Sequence, residues 1–467
     1  MKKTENKTEE LREQLASKKV NAFHRYPEKV RTAAYAFAED YKDFLNASKT
    51  EREAVSYAVA AAEKAGFKPF EAGKKYRAGD KVYKINRGKA LILAVIGAKG
   101  CREGVRIAAA HIDSPRLDLK PAPLYENSEM ALFKTHYYGG IRKYQWVAIP
   151  LAMHGVVAKK DGTVVEIMVG ETADDPVFTI TDLLPHLAQE QSQKTLAAAF
   201  TGEDLNVTVG SEPVEDKDAK EAFKLRTLQL LNETYGITED DFLSAEIEFV
   251  PAFRAQDVGF DRSLIGGYGH DDRVCAYPAL RAVLEAKKPE NTVITVLADK
   301  EEIGSEGNTG LVSKYLDYFV AELAEAEGIP ARRVWAKSTC LSADVTAAYD
   351  PNYASAFEAG NACYVNHGVG VCKYTGARGK GGASDCSAEF VAAVRRVFDE
   401  ADVAWQMGEL GRVDLGGGGT VAKFVAALDA DVLDVGVPVL SMHSPFEVIG
   451  KMDLYATYLG VAAFFKA

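Results

Sequence analysis

The sequence predicts an α/β layered domain interrupted by a second, strand-rich domain. Two observations carry that prediction. Short apolar runs of strand length alternate with amphipathic helical segments both before residue 120 and after residue 256. Between them, alternating segments such as WVAIPLAMHGVVAKK and GTVVEIMVGE replace that rhythm with the texture of an antiparallel sheet. The expected organisation is a first part of one domain at 1–120, an insertion at 121–255, and the remainder of the first domain at 256–467.

The chain opens on helices. Residues 9–18, 29–44 and 49–65 are rich in Ala, Glu, Lys and Leu, with apolar positions at helical spacing. KALILAVIG (89–97) and GVRIAAAHID (104–113) are short apolar runs parted by a glycine-containing turn, as expected of buried strands. Inside the insertion, the polar stretch 190–221 reads as a long and partly mobile excursion. Beyond Gly259 a helix at 273–286 precedes the strand TVITVLAD, and a helix at 311–327 precedes a strand at 334–345. Helices follow at 381–401, with a Ser/Asp start, and at 418–429, behind four glycines. Strand and loop occupy 433–445, and a helix from Asp453 closes the chain.

Bulk properties exclude several classes of protein. With 467 residues the chain can bury a sizeable core, and its 47% hydrophobic and 26% charged residues are ordinary for a globular protein. No apolar run approaches the roughly 20 residues that span a bilayer, so no membrane role is expected. The first residues, MKKTENKTEELREQLASKK, lack the apolar core of a secretory signal, which points to the cytoplasm. Cys101, Cys275, Cys340, Cys363, Cys372 and Cys386 show no CxxC spacing, against both a disulfide framework and a thiolate zinc site. The net charge of -11, without a basic stripe, opposes nucleic-acid binding.

Five segments of the α/β part place metal-binding residue types at strand ends or in loops. They are AAHIDSPR with His111 and Asp113, GYGHDDRV with Asp271 and Asp272, ADKEEIGS with Glu301 and Glu302, LSADVTAA with Asp344, and SMHSPFE with His443. In open α/β sheets, ligands gather beyond the carboxyl ends of strands. A single His or Asp there is ordinarily a solvated or satisfied polar group, but five such segments on one chain call for a common cause. Two imidazoles and three carboxylates suit a pair of zinc or similar divalent ions, with one carboxylate bridging. A further carboxylate is left to take the proton that water loses on attacking a carbonyl. That division explains why Glu301 and Glu302 stand side by side despite their repulsion: one binds metal, the other faces the water. In HIDSP, the i, i+2 spacing lets Asp113 fix the tautomer of His111. The glycine run in DLGGGGTVAKF lacks a GKS or GKT ending and reads as a backbone loop lining the substrate pocket, not as a phosphate loop.

Taken in order, AHIDSPRLDLKP, YGGI, GHDDR, EEIGSEG, SADVTAA and MHSPFE resemble the aspartyl aminopeptidase family of dinuclear zinc metallopeptidases, over most of the chain. The stretch YGGIRKYQWV departs from the commoner YGGG form, in line with a bacterial branch whose substrate preference has drifted. The resemblance implies a three-layer zinc-peptidase-like catalytic domain with a central mixed sheet, and an inserted strand-rich dimerisation domain. It implies that His111 and Asp344 hold one zinc, Glu302 and His443 the other, with Asp271 bridging. Glu301 would be the general base, Asp113 the partner of His111, and Asp272 a variable neighbour outside the ligand set. Manganese and cobalt are alternatives to zinc. Lys373 would pair with an acidic substrate side chain, with Lys380 a competing candidate, and His186 in Pro185-His186-Leu187-Ala188 would reach a neighbouring subunit's active site. Dimers assembling to a tetrahedral dodecamer would be the oligomer. The expected activity is release of N-terminal Asp or Glu from peptides. Alternatives are a neutral or broad-specificity tetrahedral aminopeptidase, a two-metal deacylase, and a silent scaffold of the same fold.

Overall fold

The structure, a computed structural model, describes residues 2–467, with side chains from Lys7 onward. Its centre is a nine-stranded mixed sheet. Four strands form the parallel middle in the order Thr292–Ala298, Val105–His111, Thr339–Ala343 and Asp431–Gly436. Antiparallel neighbours flank them: Ala90–Val95 against Thr292–Ala298, and Val369–Cys372 against Asp431–Gly436. These central strands read as nearly continuous apolar runs because both of their faces are covered. Successive residues point to opposite sides, so Ala108 and Ala110 join one core while Ile107 and Ala109 join the other.

Helices supply the outer layers. On one face lie Glu28–Asn46, Glu51–Lys64, Ala276–Glu285, Ala388–Glu400 and Lys451–Lys466; on the other, Tyr315–Ala326, Ala331–Trp335 and Ala422–Ala426. Helix, sheet and helix make the three layers that the family resemblance implies. Local chemistry sets the helix starts. Thr50 and Glu53 form a reciprocal capping box before Glu51–Lys64, and Ser387 accepts from the Phe390 amide at the start of Ala388–Glu400.

Two further sheets complete the chain. A six-stranded antiparallel sheet, ordered Val164–Val169, Leu151–Ala158, Ala245–Pro251, Arg116–Asn127, Met130–Tyr138 and Val207–Gly210, has its own apolar core around Trp146, Phe133 and Phe249. A five-stranded sheet joins Gln256–Val258, Leu264–Gly267, Glu447–Gly450, Pro438–Leu440 and Thr346–Ala347. Among the described residues no helix is long and apolar enough to cross a membrane.

Several elements differ from the sequence reading. The stretch expected as strand at 334–345 begins as the end of a helix, Ala331–Trp335, and only Thr339–Ala343 is strand. The helix expected at 418–429 shortens to Ala422–Ala426, because glycines up to Gly419 keep the chain in an open loop. In the six-stranded region a helix, Ala222–Tyr235, was not foreseen. It lays Phe223, Leu228, Leu231 and Tyr235 on that sheet's core and ends at Gly236 in the left-handed conformation.

The six-stranded sheet is tied to the helical layer by buried charge. Arg116 meets Glu51 at 3.3 Å and Glu248 at 3.0 Å. His154, on Leu151–Ala158, places Nδ1 2.6 Å from Glu53 and Nε2 3.0 Å from Glu171, which in turn meets Lys49 at 2.6 Å. Burial alone would lower the His154 pKa, but hydrogen bonds to Glu171 and Glu53 raise it above its ordinary value. A raised folded-state pKa contributes stability that is complete below the unfolded value, 6.5, and is lost as pH rises through the folded value. His154→Gln is therefore expected to cost about 3 kcal/mol at pH 6 and much less at pH 9, read from urea unfolding at the two pH values.

Candidate active site

Each of the three sheets delivers part of one cluster. The parallel strands of the central sheet end at His111, at the turn after Ala298 that carries Glu301 and Glu302, and at Asp344. The five-stranded sheet supplies Asp271, just after Leu264–Gly267, and His443, in the loop between Pro438–Leu440 and Glu447–Gly450. The end of Met130–Tyr138, in the six-stranded sheet, completes the wall.

The glutamate pair sits on a tight turn, Glu301–Ile303, bracketed by left-handed Lys300 and Gly304. Asp113 holds that turn: one carboxylate oxygen accepts from the Glu301 amide at 3.0 Å, the other from the Glu302 amide at 3.1 Å and from the Tyr138 hydroxyl at 2.8 Å. Although burial would raise it, the Asp113 carboxyl is held below its usual range by His111, Tyr138 and Arg116. The expected bond from Asp113 to His111 is made differently. Its carboxylate lies 3.6 Å from Nδ1, and the closer acceptor is the Asp113 backbone carbonyl at 3.3 Å.

That carbonyl has a consequence. A carbonyl can only accept, so Nδ1 of His111 carries the proton and Nε2 offers its lone pair, 3.5 Å from Asp344. The same logic applies to His443. Its Nδ1 donates to the Gly140 carbonyl at 2.9 Å, and Nε2 lies 2.8 Å from Asp271 and 3.6 Å from Glu302. Both imidazoles thus present the correct nitrogen to a cation.

Three groups bring donor atoms within 4.8 Å of one another: His111 with Asp271 and Asp344; Asp271 with Glu302 and His443; and His111 with Glu301 and Glu302. This density of buried carboxylates demands positive charge. Burial, then the charges of Asp271 and Asp272, drive the Glu302 carboxyl well above its usual range. Burial alone would lower His443, but its bond to Asp271 and the charges around it carry it up to about 11. Protons are held where a divalent cation would neutralise the same charges, and the nitrogen and oxygen donors suit zinc. Asp272 lies 3.9 Å from Nδ1 of His111, on the side away from Nε2.

Sequence reasoning missed Glu447. Its buried carboxylate accepts from the Asp271 amide at 3.0 Å and from the His443 amide at 2.7 Å, so it locks two members of the cluster as Asp113 locks two others. The signal was present as the last residue of SMHSPFE, but nothing in spacing tells a solvated Glu from a buried one.

The cluster opens on a cleft of about 560 Å³, lined also by Gly417, Gly418, Gly419 and Thr420. The glycine run thus lines the pocket as its sequence predicts. A β-carbon on Gly416 or Gly417 would strike backbone, whereas one on Gly418 or Gly419 would meet nothing, leaving room for a ligand. The cleft's long cationic side chains are Arg142 and Lys423. Lys373 lies between two lining residues, Cys372 and Thr375, without lining the cleft itself. Lys380 is engaged elsewhere, 3.9 Å over the Tyr374 ring and 3.3 Å from Asp385. His186 stands on an exposed turn, Pro185–Leu187, outside the cleft of its own subunit.

A three-layer α/β fold with a buried nitrogen and oxygen donor cluster at strand ends defines a metallohydrolase. The family described as Aminopeptidase I zinc metalloprotease (M18) matches residues 44–465, and the chain belongs to that family. The protein is a metal-dependent aminopeptidase acting on peptides, with zinc as the family's metal. A probable M18 family aminopeptidase 1 of Clostridium acetobutylicum is 47% identical over 452 residues, covering 95% of this chain and 97% of that one. The crystal structure of an M18 family aminopeptidase from Thermotoga maritima superposes with a TM-score of 0.93 at 45% identity, covering 96% of this chain and 99% of that one. The S. cerevisiae mApe1 dodecamer shares the fold, with a TM-score of 0.75 at 21% identity, covering 92% of this chain and 96% of that one.

Glu447→Gln keeps one acceptor but turns an amide donor toward a second backbone N–H. We expect it to weaken zinc binding about 10-fold to 100-fold, measured by competition with a chromogenic chelator, while the far-ultraviolet circular dichroism spectrum stays unchanged.

Proposed function

We propose that the protein removes N-terminal residues, Asp and Glu by preference, using two divalent ions and Glu301 as general base. The observation that carries this reading is the sharing of Asp271 between two donor groups, His111 with Asp344 and Glu302 with His443, neither of which uses Glu301. Zinc held there supplies Lewis-acid activation of water and of the scissile carbonyl. Burial, with added repulsion from Asp344, Asp113 and Asp271 and opposition from His111, pushes Glu301 up to about 8. A cation beside it would offset that repulsion and leave the carboxylate ionised, able to take the proton of the attacking water and give it to the leaving amine. Asp113 keeps that carboxylate on its turn while the proton moves.

The acidic preference is supported by positive charge in the cleft. Arg142 and Lys423 line it, and Lys373 adjoins one lining residue, Cys372. A cation in a desolvated pocket favours an Asp or Glu side chain by direct pairing. A second reading, neutral or broad specificity, is favoured by Leu410, Phe424 and Met442 in the same wall. A two-metal deacylase would share the machinery but not the need for a free amine.

The unit we delimit at 121–255 is proposed as the oligomerisation module. Val177, Leu183, Leu184, Leu187 and Leu196 expose large apolar side chains around His186, as a surface made to be covered does. We propose dimers built into a tetrahedral dodecamer, in line with the dodecamer of mApe1. His186 would then contribute to a neighbouring subunit's cleft. A cytoplasmic location fits the six cysteines, all unpaired and buried.

Glu301→Gln is expected to retain zinc and lower kcat by about 10²-fold to 10⁴-fold. Asp271→Ala is expected to empty both metal positions and Asp344→Ala to cost one, read as zinc per chain by mass spectrometry; an unchanged turnover in Glu301→Gln removes Glu301 from the role. For specificity, equimolar peptides differing only at the N-terminal residue are offered with and without chelator. Chelator-sensitive release of Asp and Glu first, lost about tenfold in Lys423→Ala relative to Leu release, supports the acidic reading. Preferential Leu release supports the neutral one, and no release at all points to a silent scaffold.

A further inference from the structure

Residues 138–140, the YGG of the YGGI stretch, touch the cluster at three consecutive positions. The Tyr138 hydroxyl donates to Asp113 at 2.8 Å, and Asp113 holds the amides of Glu301 and Glu302. Gly139 has φ of +75°, and a β-carbon there would stand 3.0 Å from an oxygen of Glu302. Gly140 accepts from His443 Nδ1, and a β-carbon there would stand 3.1 Å from that nitrogen. Yet the strand that leads into them, Met130–Tyr138, belongs to the six-stranded sheet.

We propose that residues 138–140 are a positioning element by which the six-stranded sheet sets the active-site geometry, with Tyr138 acting on Glu301 through Asp113. The claim rests on the general-base reading of Glu301 given above. Packing does not account for the hydroxyl. The Tyr138 ring lies 4.0 Å from the Arg116 guanidinium, a contact that phenylalanine makes equally well. Arg116 is itself anchored by Glu51, Asp118 and Glu248, which fixes the ring's place between the helical layer and the six-stranded sheet. Burial, followed by the Asp113 charge, raises the Tyr138 pKa, so the hydroxyl remains a donor at any working pH. Without that donor, Asp113 keeps only the two amides and its carboxylate is free to tilt toward His111, 3.6 Å away. Glu301 and Glu302 would then shift together.

The test is Tyr138→Phe in the full-length, zinc-loaded enzyme. Expected is a kcat lowered about tenfold with KM within about twofold, and zinc per chain and thermal midpoint unchanged. A double-mutant cycle with Asp113→Asn distinguishes action through Asp113: Tyr138→Phe should then add less than about twofold. Gly140→Ala is the independent arm, expected to weaken zinc affinity about tenfold by pressing on His443 while the enzyme stays folded; it decides the matter should Tyr138→Phe not accumulate. Unchanged kcat in Tyr138→Phe, losses that multiply fully in the cycle, or a kcat that falls only in proportion to lost zinc would each overturn the role of Tyr138. Unaltered zinc affinity in Gly140→Ala would overturn that of Gly140. If Glu301→Gln is silent, the base assignment fails first; if Glu301→Gln is inactive and Tyr138→Phe is normal, this proposal fails alone.

Discussion

Everything in this molecule is arranged around one electrostatic liability, the convergence of Asp271, Glu301, Glu302 and Asp344 at the largely buried floor of the cleft. Placed in low dielectric, such charges repel strongly enough to take up protons or to open the site. The two imidazoles do not balance them. A tightly held divalent cation does, which is why the family's dependence on zinc follows from the fold's geometry as well as from its chemistry. The nine-stranded sheet makes the convergence inevitable by ending its parallel strands at one edge, where three of the sequence segments leave it.

Holding mutually repelling side chains in place requires fixing the backbone that bears them. The protein does this twice with the same device. A buried carboxylate accepts two backbone amides, Asp113 for Glu301 and Glu302, Glu447 for Asp271 and His443. Each amide neutralises part of the clamping charge and each clamp ties residues that must not drift apart. Backbone carbonyls do the complementary work for the imidazoles, and both turn Nε2 toward the carboxylates. The scaffold thus separates the groups that face the cation from those that orient them, as preorganised sites require.

How much of this was legible in the sequence follows from which signals are local. The strands 292–298 and 105–111 were legible because burial on both faces removes polar residues, and the cluster segments because a carboxylate or imidazole at a strand end is a visible break in apolar texture. Helix Ala222–Tyr235 was hidden because its apolar residues do not keep to one side: Phe223, Leu228 and Leu231 pack on the sheet while Leu225 and Leu230 are exposed. Glu447 was hidden because its role depends on two amides, one of them 176 positions away in the chain. Lys373 was selected by resemblance; it stands just past the strand ending at Cys372, and it is Cys372 and Thr375 that line the cleft. Arg142 and Lys423 carried no local mark at all.

The central and five-stranded sheets share one apolar core, and the six-stranded sheet joins them at this cluster, at the buried charges behind it and through aromatic contacts such as Trp146 with Tyr268. Arg116, with Glu51 and Glu248, joins the helical layer to the six-stranded sheet, and Tyr138 carries that junction forward to Asp113. The apolar core of the six-stranded sheet is distinct from the one the other two share, so buried charges carry much of that junction, and polar junctions depend on every partner being present. Cation binding to the folded state alone stabilises that state by linkage, and the stabilisation falls where the ligands lie, at the convergence of the sheets. A zinc ion held in this cluster would therefore also join the parts of the chain into a single working unit.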